Sequence, residues 1–326
     1  MKIELSDRYA GSLLGLACGD ALGTSVEFCP RGTFSPLVDM VGGGPFKLAP
    51  GQWTDDTSMA LCLAESLLTK NGFDAKDQMG RYLNWWQWGY MSSTGECFDI
   101  GNTVRQALLK YQQTNQPFAG SVEPDTAGNG SLMRLAPAVL FYYPSDQDIA
   151  QFTVASSCTT HSAPEATECC RLLGELLAKA LAGKSKTEIL SPSRTSFIEP
   201  KVRNIASGKY MHKTREQIAG TGYSVASLEA ALWCFWRSES FESAVLDAAN
   251  LGDDADTTAA IVGQLAGAFY GKSGMPTNWL EKLHMRAEIE DMADALLQAA
   301  KARQAYRSGL RTVQLSCLPK TSRWQR

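Results

Sequence analysis

Several features are scarce in this sequence, and each absence excludes something. No apolar stretch is long enough to span a bilayer. The N-terminal apolar run is broken by Asp20 and preceded by Glu4 and Asp7, where a secretory leader would be basic. The chain is therefore expected to be soluble and cytoplasmic, with no membrane partner. Positive charge is not in excess: 31 Lys and Arg stand against 34 Asp and Glu, a net charge of -3. This argues against a general nucleic-acid binder. No Cys-x-x-Cys pair occurs among the nine cysteines, which read as reduced core residues rather than a zinc site or a disulfide frame. The Glu-x-x-His pair Glu281–His284 has no second copy, which a di-iron bundle would need. Strict alternation of apolar and polar residues is missing too, and with it the signature of half-buried strands.

What is present is helical periodicity. At 44% hydrophobic and 20% charged residues the chain can bury a core. Helices are expected over Tyr9–Leu22, Thr57–Thr69, Asp77–Trp88, Asn102–Gln112, Ser131–Phe141, Asp146–Ser157, Pro164–Ala182, Ser224–Arg237, Phe241–Asn250, Thr257–Tyr270 and Leu283–Arg303. The fold class is all-α, one domain over residues 1–308, expected to be a monomer. Residues 309–326 carry four basic and no acidic side chains and read as a tail. Lys184–Tyr223 is a polar excursion, and Trp85, Trp86, Trp88 and Tyr90 read as packing on one helix.

Two acidic clusters stand out. Trp53-Thr54-Asp55-Asp56-Thr57 opens one apolar helix, and Gly252-Asp253-Asp254-Ala255-Asp256-Thr257 opens another. Asp and Thr are good N-caps and acids suit a first helical turn, so either cluster alone reads as capping. Both together do not. A cap needs one side chain, and crowded buried carboxylates are expensive without a cation. If the two helix starts face each other, their carboxylates and hydroxyls form an all-oxygen site suited to Mg²⁺ or Mn²⁺. Neighbouring aspartates pointing to different sides can serve two ions. Gly11, Gly15 and Gly19 in the first helix, and Gly263, Gly267 and Gly271 in the late one, recur every four residues and would let helices approach closely.

These motifs carry a family resemblance. GSLLGLACGDALGTSVE near the N-terminus, WTDDT, FDIGNT (Phe98–Thr103), GNGSLMR (Gly128–Arg134), THSAPEA (Thr160–Ala166), GTGYSVASLEAALW (Gly220–Trp233) and GDDADTTAAIVGQLAGAFYG occur in the order of the ADP-ribosylglycohydrolase family. That group includes the dinitrogenase reductase-activating glycohydrolase and the ADP-ribosylarginine hydrolases. The resemblance spans about Tyr9 to Arg303. It implies an orthogonal multi-helix fold with a binuclear Mg²⁺ or Mn²⁺ centre in a cleft. The reaction it implies is hydrolysis of the bond between the distal ribose of ADP-ribose and a protein side chain, most often arginine. Carried onto this sequence, it makes Thr54, Asp55, Asp56, Asp254, Asp256 and Thr257 metal ligands. Glu27, with Asp55 or Asp56, becomes the proton-handling group. Many relatives have glycine where this chain has Asp253.

The other candidate residues follow from what ADP-ribose needs. Gly128, Asn129, Gly130 and Ser131 precede a helical pattern, where backbone N–H groups face an anion; as plain structure, Ser131 or Asn129 caps that helix. Asp99, with Ile100 and Gly101, sits in a loop where it can bond a ribose hydroxyl or a guanidinium, or merely cap the helix at Asn102. His161 is a phosphate or ribose donor, or a satisfied structural histidine. Tyr223 stacks on adenine or belongs to the core. The expected substrate is an ADP-ribosylated protein, and ADP-ribose the product. Alternatives are a hydrolase of serine-linked or O-acetyl-ADP-ribose, and a non-catalytic ADP-ribose binder. Reversal of the modification would serve either metabolic regulation or immunity to an ADP-ribosylating toxin.

Overall fold

A computed structural model describes residues 3–193, 195–307 and 309. Among them the chain forms fourteen α-helices and no strand: α1 (Leu5–Gly23), α2 (Asp55–Lys70), α3 (Ala75–Trp88), α4 (Asn102–Thr114), α5 (Ala136–Tyr142), α6 (Asp146–Cys158), α7 (Pro164–Leu181), α8 (Lys186–Ile189), α9 (Pro200–Ala206), α10 (Ser224–Arg237), α11 (Phe241–Ala249), α12 (Ala255–Tyr270), α13 (Thr277–Lys282) and α14 (Arg286–Arg307). No helix among them is long and apolar enough to cross a membrane. The eight described cysteines are free thiols. The basic tail lies, beyond Gly309, outside the described residues.

The glycine spacing sets the architecture. α1 and α12 run antiparallel with their backbones in contact: a Cβ on Gly11, Gly15 or Gly19 would run into the carbonyl of Gly267, Gly263 or Ala259. Gly271 is not part of this seam. It closes α12 at a φ of 73°, against the side chain of Asp7. Arg8 locks the far end of the pair, donating from Nη1 to the carbonyls of Ala268 and Phe269 at 2.8 Å each. A guanidinium there satisfies carbonyls that a helix C-terminus leaves without partners. At the near end, Gly23 backs directly onto Ala255 and Asp256. The close seam therefore delivers the end of α1 to the start of α12, where the second acidic cluster lies.

Two helices begin later than their periodicity suggests, for tertiary reasons. The expected Ser131–Phe141 helix starts only at Ala136; before it, the N–H groups of Leu132 and Met133 both turn onto the Asn129 carbonyl. Gln264 of α12 holds this turn open. Its amide donates to the carbonyls of Leu132 and Met133, and its oxygen accepts the Ala136 N–H at 2.7 Å. Pro137 then suits a first helical turn. α14 starts at Arg286 because His284 is drawn away, its N–H donating to Gly51 and its carbonyl accepting from Trp53 Nε1.

The excursion from Lys184 to Tyr223 is not only surface. It folds α8, α9 and two short 3₁₀ turns, and buries Phe197, Val202, Ile205, Tyr210 and Ile218 in the core. Trp85 packs inside as expected, whereas Trp88 is 77% exposed.

Candidate active site

The two acidic helix starts do face each other. Neither uses its own side chain as a cap: Thr54 before α2 and Asp254 before α12 accept no helix N–H. α2 is capped instead from α1. The Asp20 carboxylate accepts from Thr54 N–H (2.8 Å), Thr54 Oγ1 (2.9 Å), Thr57 N–H (3.0 Å) and Thr57 Oγ1 (2.6 Å). Asp20 is fully buried. It does for α2 what an N-cap does, and this releases Asp55 and Asp56 from that task. Asp99 likewise does not cap α4, which begins at Asn102 after Gly101 with no side-chain cap. Sequence reasoning passed over Asp20. The signal was there, a lone carboxylate inside an otherwise apolar helix.

Hydroxyls stitch the clusters together. Thr54 Oγ1 lies 3.3 Å from Asp256 Oδ2 and 3.5 Å from Asp56 Oδ2. Thr257 Oγ1 lies 3.3 Å from Asp56 Oδ2. Asp56 is completely buried, and its Oδ1 has no partner. Beside this group, carboxylate oxygens of Glu27, Asp99 and Asp256 lie within 4.8 Å of one another. A buried, unpartnered carboxylate oxygen among like charges is the arrangement a hard divalent cation relieves, and every donor here is oxygen. The residues present fit such an ion.

Electrostatics agree with that reading. Burial first, and then the neighbouring acids, push the carboxyls of Asp55, Asp56 and Asp256 well above the usual range. Burial, then the charge of Asp99, raises Glu27 to about 9. Burial, then Asp20, raises Asp99 to about 8. Asp20 is raised by burial only to about 6, because the four threonine bonds hold it down.

The supporting loops are clamped to the second cluster. Asp253 has left-handed backbone, φ 57°, a region glycine fills freely and aspartate tolerates. Its carbonyl accepts from Phe28 N–H at 2.8 Å and its N–H donates to the Cys29 carbonyl at 2.9 Å. Glu27 is thereby held over the clusters. Asp254 accepts from Asn129 Nδ2 at 2.5 Å, and the same amide reaches Ser227 Oγ at 2.8 Å.

These parts line a cleft of about 780 Å³ whose walls include Glu27, Asp55, Asp99–Val104, Gly128–Gly130, His161, Asp253, Asp254 and Thr257. The volume suits a nucleotide-sized ligand. A helix start does face it, but that of α4, not the Ser131 segment, which is a turn. The first N–H groups of α4, at Asn102, Thr103 and Val104, have no intrahelical acceptor. Ser131 turns its hydroxyl to Ser157 Oγ (2.8 Å) and Cys170 Sγ (3.3 Å), away from the cleft.

His161 is buried and packs its ring against Gly128 and Gly130, where a Cβ would meet it. Burial, then the Arg134 charge, lowers its pKa to about 3, so it is neutral. Arg134 Nη2 donates to Thr160 Oγ1 at 2.6 Å, and Thr160 Oγ1 lies 2.8 Å from His161 Nδ1. Thr160 can accept from the arginine and give its own proton to Nδ1, the tautomer that places the N–H on Nε2 beside Gly128 and Gly130.

The structure does not bring Tyr223 into this cleft. Its ring lines an adjoining hollow of about 370 Å³ with Pro124, Ala127, Ala163 and Pro164. Its hydroxyl donates to Glu165 and accepts from Lys201 Nζ at 2.8 Å. The hollow adjoins the cleft through a backbone bridge between Gly128 and Tyr223.

Comparison with known proteins identifies the class to which this all-α arrangement of paired acidic helix starts belongs. Residues 1–306 match the family model described as ADP-ribosylglycohydrolase; the chain belongs to that family. It is 48% identical to an ADP-ribosylarginine hydrolase Tri1 of Pseudomonas putida, over 90% of this chain and 79% of that one. It is 44% identical to an ADP-ribosylarginine hydrolase Tri1 of Serratia proteamaculans, over 91% of this chain and 81% of that one. The ADP-ribosyl-[dinitrogen reductase] glycohydrolase of Rhodospirillum rubrum is 33% identical, over 91% and 98%. A solved structure described as an ADP-ribosylglycohydrolase-related protein complex superposes with a TM-score of 0.81 at 45% identity, covering 91% of this chain and 99% of that one.

Proposed function

We infer that this chain is an ADP-ribosylarginine hydrolase: it cleaves the N-glycosidic bond between the distal ribose and a protein arginine, with water as nucleophile. The observation that carries the reading is the convergence of two acidic helix starts around the unpartnered Asp56 Oδ1, in a chain 44% and 48% identical to two ADP-ribosylarginine hydrolases. Thr54, Asp55, Asp56, Asp254, Asp256 and Thr257 are proposed to hold two divalent cations, Mg²⁺ or Mn²⁺. Such ions, when bound, supply positive charge and Lewis acidity for activating water and holding ribose hydroxyls.

The chain's own groups then divide the remaining work. Glu27 and the Asp55–Asp56 pair are the proton-handling groups, taking a proton from the attacking water and returning one to the departing guanidine. Their crowded negative charge favours the oxocarbenium character that develops at the anomeric carbon. Asp99, with Ile100 and Gly101, faces the guanidinium side. The diphosphate finds donors in the first turn of α4, in the N–H groups of Gly130 and Ser131 and in the neutral His161 Nε2–H, the N–H groups of Gly128 and Asn129 being bonded to Thr126 and Gly222. Asn129 holds Asp254 in place. The hollow at Tyr223 is proposed to take the adenine, with the ring presented by its bonds to Glu165 and Lys201.

Release of ADP-ribose from an arginine-ADP-ribosylated protein tests the reading. Wild type should release it with Mg²⁺ or Mn²⁺ and stop with chelator, and Asp56→Ala should release none. Release only from serine-linked or O-acetyl-ADP-ribose would move the assignment to that linkage. Binding of ADP-ribose with no release from any of them would make the chain a binding protein. Which modified protein is cleaved decides between metabolic regulation and defence against a toxin.

A further inference from the structure

Each of two acids at the mouth of the cleft has an aromatic neighbour in sequence: Glu27 precedes Phe28, and Phe98 precedes Asp99. The acids turn inward, with carboxylate oxygens of Glu27 and Asp99 within 4.8 Å of each other and of Asp256. The rings form an arc. Phe46, from the tight turn closed by the Gly43–Leu48 bridge, sits between them, its ring centroid 6.5 Å from Phe28 and 5.1 Å from Phe98. Phe28 is 65% exposed. Both Phe28 and Asp99 have left-handed backbone, at φ 63° and 58°. For a bulky side chain that conformation is costly, and an exposed ring recovers little of the cost through burial. The fold holds it nonetheless, through the Phe28 N–H bond to the Asp253 carbonyl at 2.8 Å.

The charge lining the cleft behind the arc is one-sided. The titratable side chains lining the cleft are Glu27, Asp55, Asp99, Asp253, Asp254 and the neutral His161. A ribosylated guanidinium keeps its positive charge, so this mouth attracts it. The exposed ring of Phe28 and the half-buried rings of Phe46 and Phe98 beside such a mouth offer flat apolar surface to an arginine stem and the main chain next to it.

We propose that Phe28, Phe46 and Phe98 form the docking rim for the polypeptide segment that carries the modified arginine. The acids inside the rim take the guanidinium, and the rings take the stem and adjoining backbone. This rests on the arginine-hydrolase reading above and adds a protein-facing surface to it. The rim acts on substrate binding, not on the bond that breaks.

The experiment compares two substrates, ADP-ribosyl-guanidine, which has no stem or main chain for the rings to hold, and a synthetic peptide with one internal ADP-ribosyl-arginine. The variants are Phe46→Ala and Phe28→Asn, asparagine being tolerant of the left-handed backbone. Either variant should lose about tenfold or more in kcat/KM on the peptide, mostly in KM, the size expected for removing an aromatic contact. On ADP-ribosyl-guanidine each should stay within about twofold of wild type, and Phe46→Trp should keep peptide activity. An equal fall on both substrates would overturn the rim, since the rings would then merely prop the Glu27 and Asp99 loops. No fall on either would overturn it as well. A wild type that cleaves neither substrate would instead overturn the arginine reading itself.

Discussion

The carboxylate of Asp20 caps α2 from the neighbouring helix, accepting the Thr57 hydroxyl at 2.6 Å and the Thr57 N–H at 3.0 Å. One buried acid in α1 thereby orients the helix that carries Asp55 and Asp56. Asp20→Asn keeps the shape but replaces one acceptor oxygen with a donor. It should cost about 2 kcal/mol in urea unfolding, the worth of bonds to a buried charge. Divalent-cation affinity should fall about tenfold or more, as for other groups that orient metal ligands. Unchanged affinity by calorimetry would show that Asp20 only caps a helix.

Metal and pH should act on stability together. Glu27 and Asp99 have folded pKa values of about 9 and 8, above those of free carboxyls. A group raised in this way stabilises the fold below its unfolded pKa, and the contribution is lost as pH rises through the folded value. Chelator-treated protein should therefore lose stability between about pH 5 and pH 9. A bound cation offsets the crowding, so the rise in Tm on adding Mn²⁺ should be larger at pH 8.5 than at pH 6, and binding should release protons. Calorimetry in buffers of different ionisation enthalpy measures that release; a rise in Tm independent of pH would contradict the assignment.

His161 carries the opposite sign. Its folded pKa of about 3 lies below the usual value of about 6.5. The unfolded chain takes up a proton first, so this stability is complete above pH 6.5 and is lost as pH falls toward 3. The slope is up to about 1.4 kcal/mol per pH unit. Comparing wild type with His161→Gln by urea unfolding between pH 6 and pH 4 should reveal the missing slope in the variant. Parallel curves would mean that His161 titrates normally and is not sealed between Thr160 and the glycines.

The α1–α12 seam makes a contrasting pair of glycine substitutions. Gly→Ala inside a helix ordinarily stabilises by up to about 1 kcal/mol. Gly80 in α3 has open space where a Cβ would go, so Gly80→Ala should show that gain. At Gly15 the Cβ would strike the Gly263 carbonyl. Gly15→Ala should instead destabilise by about 2 kcal/mol, as overpacking does. It should also weaken metal binding, because the seam sets Asp20 against Asp256. Equal gains at both positions in urea unfolding would show that the helices separate freely.

Much of the molecule was legible from the sequence. Period-3.6 patterning survives any tertiary context that buries one face, which is why α10, read as Ser224–Arg237, is found with those same bounds. Unusual chemistry is legible too: adjacent acids at an oily helix start cannot be explained by one cap, and the glycine spacing announced a close helix pair. Tertiary contacts decided the rest. Asp20 looked like a blemish in a hydrophobic run because its partners, Thr54 and Thr57, are distant in sequence. The Ser131 segment looked helical, yet Gln264 from α12 holds it as a turn, and the helix start facing the cleft belongs to α4. Tyr223 lies in a separate hollow. Local pattern encodes which residues can be helical and which are chemically out of place. Which N–H meets which carboxylate, and which carboxylate oxygen has no partner, depends on long-range packing that no short window of sequence contains.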